Sequence, residues 1–345
     1  MKKGITFLLK TVLPLSIGIY LIWLFYTSMS ADSKEQFYET IGKANYLWII
    51  ISLIFGWIAV VARAQRWKYV LEPLGHQTPL KNRYHAITIG YLINLTIPRA
   101  GEATRAVSLY RSDKVPFAQS FGTIVAERAV DLCMLASIFF ITTLVGGQDF
   151  DLIWDKLMVK FGGKGSLASG FQWRYVLFGV IGVGLSVLIF LYYKSPTFKE
   201  KLQNFIKGLI GGILAIFKSK NPGGYILQTF IIWGCYLLMF GLCFLALEET
   251  SHFPIKGMLI GFVAGSAGIT LTNGGIGSYP LLVGLVIAFY LKPSYPDSSE
   301  GIGNALGLLI WVSQTLMMIV LGLLSLLLLP KNYSSKDVET TTDKE

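Results

Sequence analysis

Charge is scarce in this chain. Asp, Glu, Lys and Arg make up 14% of its 345 residues, while hydrophobic residues make up 53%; an average soluble domain carries roughly 25% charge. Several apolar runs are long enough to cross a bilayer, which takes roughly 20 residues. An ordinary soluble domain is thereby excluded, and the sequence reads as an all-α polytopic membrane protein. Cysteine and histidine are also rare. Cys133, Cys235 and Cys243 all fall in apolar segments, and His76, His85 and His252 lack any paired spacing, so neither a disulfide framework nor a zinc site is expected. There is no Walker loop, dinucleotide fingerprint or nucleophile elbow. Their absence argues against a cofactor, against soluble catalysis and against ATP-driven pumping by this chain alone. The net charge of +10 would suggest nucleic acid in a soluble protein. Here it reads as basic loops facing anionic lipid headgroups, with no nucleic-acid partner.

Full-length apolar segments are expected at about 5–26, 46–70, 117–146, 173–193, 224–247 and 301–329. The first follows Lys2 and Lys3 without a small-residue cleavage site, and is read as a retained span. Two further elements are short or broken: 84–98, and the pair 257–272 with 278–291 around Asn273 and Gly277. The loops at 63–83 and 194–222 are the most basic, and basic loops stay in the cytoplasm. If 84–98 crosses, the 194–222 loop lands outside. If it dips in and returns, every basic loop lies inside and both termini are cytoplasmic. The break at Pro98, which removes a backbone donor, independently favours re-entry.

The fold class that follows is six full spans plus two broken or re-entrant helical elements in an inverted repeat, the plan of many secondary transporters. Its bland alternative is eight ordinary helices of uneven length. The expected divisions are a first membrane repeat over 1–146, an exposed connection over 147–172, a second repeat over 173–330 and a disordered cytoplasmic tail over 331–345. Within 197–218, Phe198, Leu202, Phe205, Leu209 and Ile213 recur every three or four residues, which reads as a helix lying on the cytoplasmic surface or binding a partner.

The stretch 94–105 concentrates candidate chemistry. Asn94 and Pro98 precede Arg99, Glu102 and Arg105, which follow at helical spacing. It is either a ligand site at a helix break or a cytosolic loop. Glu127, Arg128 and Asp131 lie roughly 15 Å into a span that starts at Phe117, given 1.5 Å per residue. Charges at that depth should turn inward and pair. The expectation is Arg128 on Asp131, with Glu127 meeting Arg99, Arg105 or a ligand; the alternative is a self-satisfied pair that locks packing. In the second break, Asn273, Gly274, Gly275 and Gly277 would let backbone N–H groups turn to a phosphate, or would merely reverse the chain. Arg66 is a candidate phosphate contact, Arg63 a simple cytoplasmic anchor, and Trp67 an interfacial anchor.

These motifs resemble the family of the lysylphosphatidylglycerol synthase transmembrane region, also called flippase-like or UPF0104 membrane proteins. The resemblance rests on Arg63-x-x-Arg66-Trp67, on Asn94-x-x-x-Pro98-Arg99 with Gly101-Glu102-x-x-Arg105, on Glu127-Arg128-x-x-Asp131, and on Gly274-Gly275-Ile276-Gly277. It covers about 5–329. In the best-known members this region translocates an aminoacylated phospholipid made by a separate C-terminal domain. The chain ends soon after its last apolar run, so the resemblance implies a translocase and not a synthase. Family members often carry Pro-Gly-Gly-x-Gly with a Glu shortly after; this chain has Asn273 before the glycines and Tyr279-Pro280 after. The absent carboxylate turns the expectation from a cationic lysyl headgroup towards a phosphate-bearing lipid.

The expected function is therefore a lipid translocase of the cytoplasmic (inner) membrane. Its partner would be an anionic phospholipid or isoprenoid-linked lipid held in a polar cavity between the two breaks. The alternatives are a membrane-embedded transferase with Glu102 or Glu127 as base, and a scaffold for a separately encoded lipid-modifying enzyme.

Overall fold

A computed structural model describes residues 20, 23, 26–27, 31–97, 99–160, 182, 186, 191–196, 199–200 and 221–329. The expected spans at 5–26 and 173–193, the surface helix at 197–218, residues 161–172 of the connection and the tail at 331–345 lie wholly or mostly outside them, as does Pro98. Among the described residues all regular structure is helical: α1 (Ala31–Lys43), α2 (Tyr46–Leu71), α3 (Leu80–Thr96), α4 (Ala100–Asp113), α5 (Phe117–Lys160), α6 (Pro222–Leu242), α7 (Ile255–Leu271), α8 (Ser278–Leu291) and α9 (Ser299–Leu328), joined in places by short 3₁₀ turns.

Four of these, α2, α5, α6 and α9, are long and apolar enough to cross a membrane. The starts of α2 and α6 are locally encoded. Asn45 Oδ1 accepts from Leu47 N at 3.1 Å to cap α2, and Asn221 Oδ1 accepts from Gly224 N at 2.8 Å, with Pro222 as the first residue of α6. Exposed apolar residues then recur at helical spacing. Leu47, Ile50, Ile54 and Trp57 stripe α2, and Leu316, Val320, Leu323 and Leu327 stripe α9. Such stripes are what hydrocarbon demands of a helix whose opposite face is packed.

The two broken elements are helical hairpins with matching arms. α3 and α4 have 17 and 14 residues, as do α7 and α8. At 1.5 Å per residue the arms are roughly 21–26 Å long, against a hydrocarbon core of roughly 30 Å. In the first hairpin α3 and α4 touch backbone to backbone. A methyl placed on Gly101 would fall 2.6 Å from the Asn94 amide nitrogen and closer still to the Gly90 carbonyl oxygen. In the second, Gly274, Gly275 and Gly277 all adopt positive φ (64°, 75° and 74°), a region where side chains are strained. The chain thereby reverses within one short turn and restarts as α8 at Ser278.

Helix α9 records how the hairpins lie relative to each other. Gly303 lies on the backbone of Gly284 and Ala288 in α8, and Gly307 lies on Pro280 at the start of α8. Trp311 Nε1 donates to the Gly274 carbonyl at the second tip. Further along, Gly322 packs on Thr88 and Leu92 of α3, and Ser325 Oγ meets Thr88 Oγ1 at 2.7 Å and His85 Nδ1 at 2.8 Å. One hairpin thus runs from base to tip along the first half of α9. The other runs from tip to base along the second half. Gly303 to Ser325 is roughly 33 Å along the axis, and the tips meet between them, where Asn273 Nδ2 donates to Leu95 O at 2.8 Å.

Three stretches are more ordered than sequence reading suggests. In α1 charged residues mask a packed face, which seats Phe37 against Leu281 and Ala305. α4 is polar, but its first turn is held by Asn94, whose Oδ1 accepts from Gly101 N at 2.7 Å. Residues 147–160, expected within an exposed connection, are helical. At Gly146 (φ −125°, ψ 21°) α5 kinks, and beyond it Ile153 packs on Ile260 and Val286.

Candidate functional site

Helix α2 places Arg63 and Arg66 three residues apart, hence on one face, and turns that face towards α5. Asp131 of α5 receives both: Arg63 Nη1 lies 2.7 Å from its Oδ2, and Arg66 Nη1 lies 2.9 Å from its Oδ1. One helical turn away, Glu127 takes Arg105 Nη2 of α4 at 2.7 Å and Arg66 Nε at 3.8 Å. Helix α6 closes the ring. Thr229 Oγ1 accepts from Arg66 Nη1 at 3.3 Å, and Tyr236 Oη accepts from Arg63 Nη2 at 3.3 Å. Aromatic faces carry the guanidinium planes, with Arg105 lying 3.7 Å from the Trp67 ring centre and Arg66 lying 5.3 Å from that of Tyr225. Trp67 is itself fixed by a 2.9 Å bond from Nε1 to Thr123 Oγ1.

All five charged groups are buried; Arg66 is 0% exposed and Glu127 is 1% exposed. Three guanidiniums face two carboxylates, so the cluster holds an excess positive charge. It also holds spare donors: Arg63 Nε, Arg66 Nε and Nη2, and Arg105 Nε are buried without a hydrogen bond. Arg105 Nη2 and Glu127 Oε2 are in ionic contact but poorly aligned for hydrogen bonding. At the edge of the cluster Arg128 Nη2 pairs with Glu102 Oε1 at 2.9 Å, and the Arg128 side chain is 45% exposed. Between this pair and the hairpin is a cleft of about 10 Å³, lined in part by Tyr91, Asn94, Gly101 and Arg105. That volume admits about one water. In this conformation the cluster is closed, where an open polar cavity between the breaks was expected.

Arg66, Arg105, Glu127 and Asp131 therefore converge, and Glu102 with Arg128 borders them. One expected pairing and two expected positions are corrected. Arg128 reaches Glu102 on α4, because Asp131 turns to the interior and is taken by the α2 arginines. Arg63, read as a surface anchor, is 4% exposed and belongs to the cluster, and Trp67, read as interfacial, is fully buried beneath Arg105. Arg99 stays outside: it sits exposed at the start of α4 with φ 61°. Asn94 caps α4. Asn273, Gly274, Gly275 and Gly277 form the second tip and touch the first tip and α9. Sequence reading missed Arg63, Tyr225, Thr229 and Tyr236. The three-residue spacing of Arg63 and Arg66 was the available signal; nothing in the sequence points to the α6 hydroxyls. Among the described residues no three of His, Cys, Asp and Glu converge as metal ligands would.

The tip contact is directly testable. Asn273→Leu removes the donor to Leu95 O and leaves that carbonyl without its partner. A loss of about 1–3 kcal/mol is expected by thermal unfolding in detergent. Arg99→Gln, at the other tip but exposed, is expected to stay within about 0.5 kcal/mol of wild type.

Long apolar helices around two short hairpins and a buried arginine–carboxylate cluster define a multi-pass helical membrane protein. The chain belongs to the family of the lysylphosphatidylglycerol synthase TM region, which it matches over residues 11–295. It is also 27% identical over 121 residues to a UPF0104 membrane protein of Methanocaldococcus jannaschii, a match covering 34% of this chain and about a third (35%) of that protein. No solved structure matches it.

Proposed function

We propose that this chain is a flippase-like lipid translocase of the cytoplasmic membrane, carrying a phosphate-bearing or aminoacylated lipid headgroup between leaflets. The observation that carries this reading is the buried cluster with more guanidiniums than carboxylates, set beside the tip where two opposed hairpins meet. Charge held at such depth is costly, and in membrane proteins it marks the paths of polar substrates. Opposed broken helices around a central site are the plan of alternating-access carriers. On this reading the halves α2–α5 and α6–α9 form an inverted repeat, with both termini cytoplasmic. The described order of long helix, hairpin, long helix occurs twice, in keeping with that.

Arg128 and Glu102 act as the lid. A partly exposed ion pair is worth only about 0–1 kcal/mol, so it opens at little cost. Opening presents Arg105 and then Arg66, whose spare N–H groups and excess charge suit a phosphate oxygen. Glu127 and Asp131 keep the guanidiniums oriented when the lipid leaves.

The second reading is a membrane-embedded transferase acting on a lipid-linked substrate, favoured by the word synthase in the family's name. One assay separates the two. The full chain is reconstituted into liposomes containing a fluorescent anionic phospholipid, and headgroup accessibility to an impermeant quencher is followed. Translocation above empty vesicles is expected, falling to the empty-vesicle level in Arg66→Ala. No movement in wild type, or equal movement in Arg66→Ala, would sink the translocase reading. Modified lipid product in the same vesicles would establish the transferase.

A further inference from the structure

The kink at Gly146 swings the end of α5 across the base of the second hairpin, and a pocket of about 450 Å³ opens there. Ligand sites commonly occupy roughly 300–1,000 Å³. Its walls come from three helices brought together only by the fold: Asp149 and Lys156 from α5, Lys256 from α7, and Phe289 and Tyr290 from α8, with Lys292 just beyond α8. None belongs to the arginine cluster.

The polar walls are organised. Asp149 Oδ2 accepts from Tyr290 Oη at 2.5 Å and meets Lys256 Nζ at 2.6 Å, so the carboxylate is occupied and Lys256 is held in place. Lys156 Nζ stands 4.5 Å from the Phe289 ring centre. Lys156 and Lys292, both exposed, line the same space. The lining thus presents three ammoniums against one carboxylate, and two of the ammoniums repel each other across the space. An anion between Lys156 and Lys292 would relieve that repulsion. Ring faces and Pro293 supply an apolar wall beside it. Leu152 is three residues from Asp149 and four from Lys156, hence on the same face of α5, and it is exposed. Ile255, next to Lys256, is 74% exposed. The pocket therefore borders surface suited to acyl chains.

We infer that this pocket is a second binding site, specific for a phosphate-bearing anion held between Lys156 and Lys292 at the base of the second hairpin. The site goes beyond the translocase reading and stands whether or not the chain moves lipid. Compact ammonium groups recognise phosphate as point charges, and the shared chemistry covers a phospholipid headgroup and free phosphate.

The test uses the full chain in two arms. In neutral detergent, thermal unfolding is followed with increasing inorganic phosphate. In phosphatidylcholine nanodiscs with and without phosphatidylglycerol, native mass spectrometry counts the lipid retained on the protein. Wild type is expected to be stabilised by phosphate, to retain phosphatidylglycerol over phosphatidylcholine, or both. Retention without phosphate stabilisation assigns the site to the lipid headgroup; stabilisation without retention assigns it to free phosphate. K156Q/K292Q is expected to weaken the binding seen by roughly tenfold or more, two charge-assisted contacts being lost. K68Q/K81Q, with the same charge change elsewhere, is expected to bind as wild type does. Should the double variant fail to fold, K156Q and K292Q singly are each expected to weaken binding severalfold. Binding in neither arm, or equal loss in K68Q/K81Q and K156Q/K292Q, overturns the inference.

Discussion

Asp131→Asn is expected to cost about 3–5 kcal/mol, the loss seen when one partner of a buried ion pair is removed. Asp131 is 8% exposed and is the shared acceptor of Arg63 and Arg66. Neutralising it leaves three buried guanidiniums facing Glu127 alone. Arg66 would keep only Glu127 at 3.8 Å and the Thr229 hydroxyl, and Arg63 only the Tyr236 hydroxyl; neither can turn to solvent, because Arg66 is fully buried and Arg63 is 4% exposed. The fall is to be read by thermal unfolding in detergent, against Arg128→Gln, whose partly exposed pair should be worth about 0–1 kcal/mol. A cycle with Arg63→Met adds a sign. Removing Arg63 as well restores the original excess of one charge, so the double variant should lose less than the two single losses combined. If Asp131→Asn unfolds no earlier than Arg128→Gln, the carboxylate is not carrying two buried arginines, and the cluster is not assembled as described.

How far the sequence announces this arrangement differs from residue to residue, for physical reasons. The apolar run 46–70 is α2, Tyr46–Leu71, and 278–291 has the bounds of α8, Ser278–Leu291. Span length is set by hydrocarbon thickness and breaks are set by glycine and proline, so both are written locally. The second tip was legible for the same reason: only glycine enters positive φ freely, and three stand within four residues. α1 and α4 were not legible, because polar sequence becomes helix there through one packed face and one Asn cap. Helical spacing placed Glu127 and Asp131 on one side of α5, but spacing within a helix says nothing about partners across it. Arg128 and Asp131 looked like a pair until α2 and α4 supplied competitors. The phosphate pocket lies furthest from the sequence. Asp149, Lys256 and Tyr290 are over 100 and over 30 residues apart along the chain, and it takes both the packing of α7 on α8 and the kink at Gly146 to bring them together.

Gly101→Leu is expected to abolish the folded protein, and Gly101→Ala to destabilise it measurably. A Cβ at this position would stand 2.5 Å from Asn94 Cγ and closer still to the Gly90 carbonyl oxygen. The carbonyl is part of α3 and cannot rotate aside as a flexible side chain can, so α3 and α4 must separate. Overpacking of this kind costs about 1–3 kcal/mol. Displacing Asn94 also threatens the cap on α4, worth about 1 kcal/mol. The consequences spread along α4, because Glu102 and Arg105 follow Gly101 within about one turn and reach Arg128 and Glu127 respectively. An opened hairpin therefore loosens the lid and the cluster together. Gly42→Ala is the matched control, since a Cβ at that helical position meets open space, and alanine there should be neutral or stabilising by up to about 1 kcal/mol. Thermal unfolding in detergent decides the matter. If Gly101→Ala and Gly42→Ala unfold at the same temperature, the arms of the first hairpin are not in backbone contact, and the route from hairpin tip to buried arginines is lost with it.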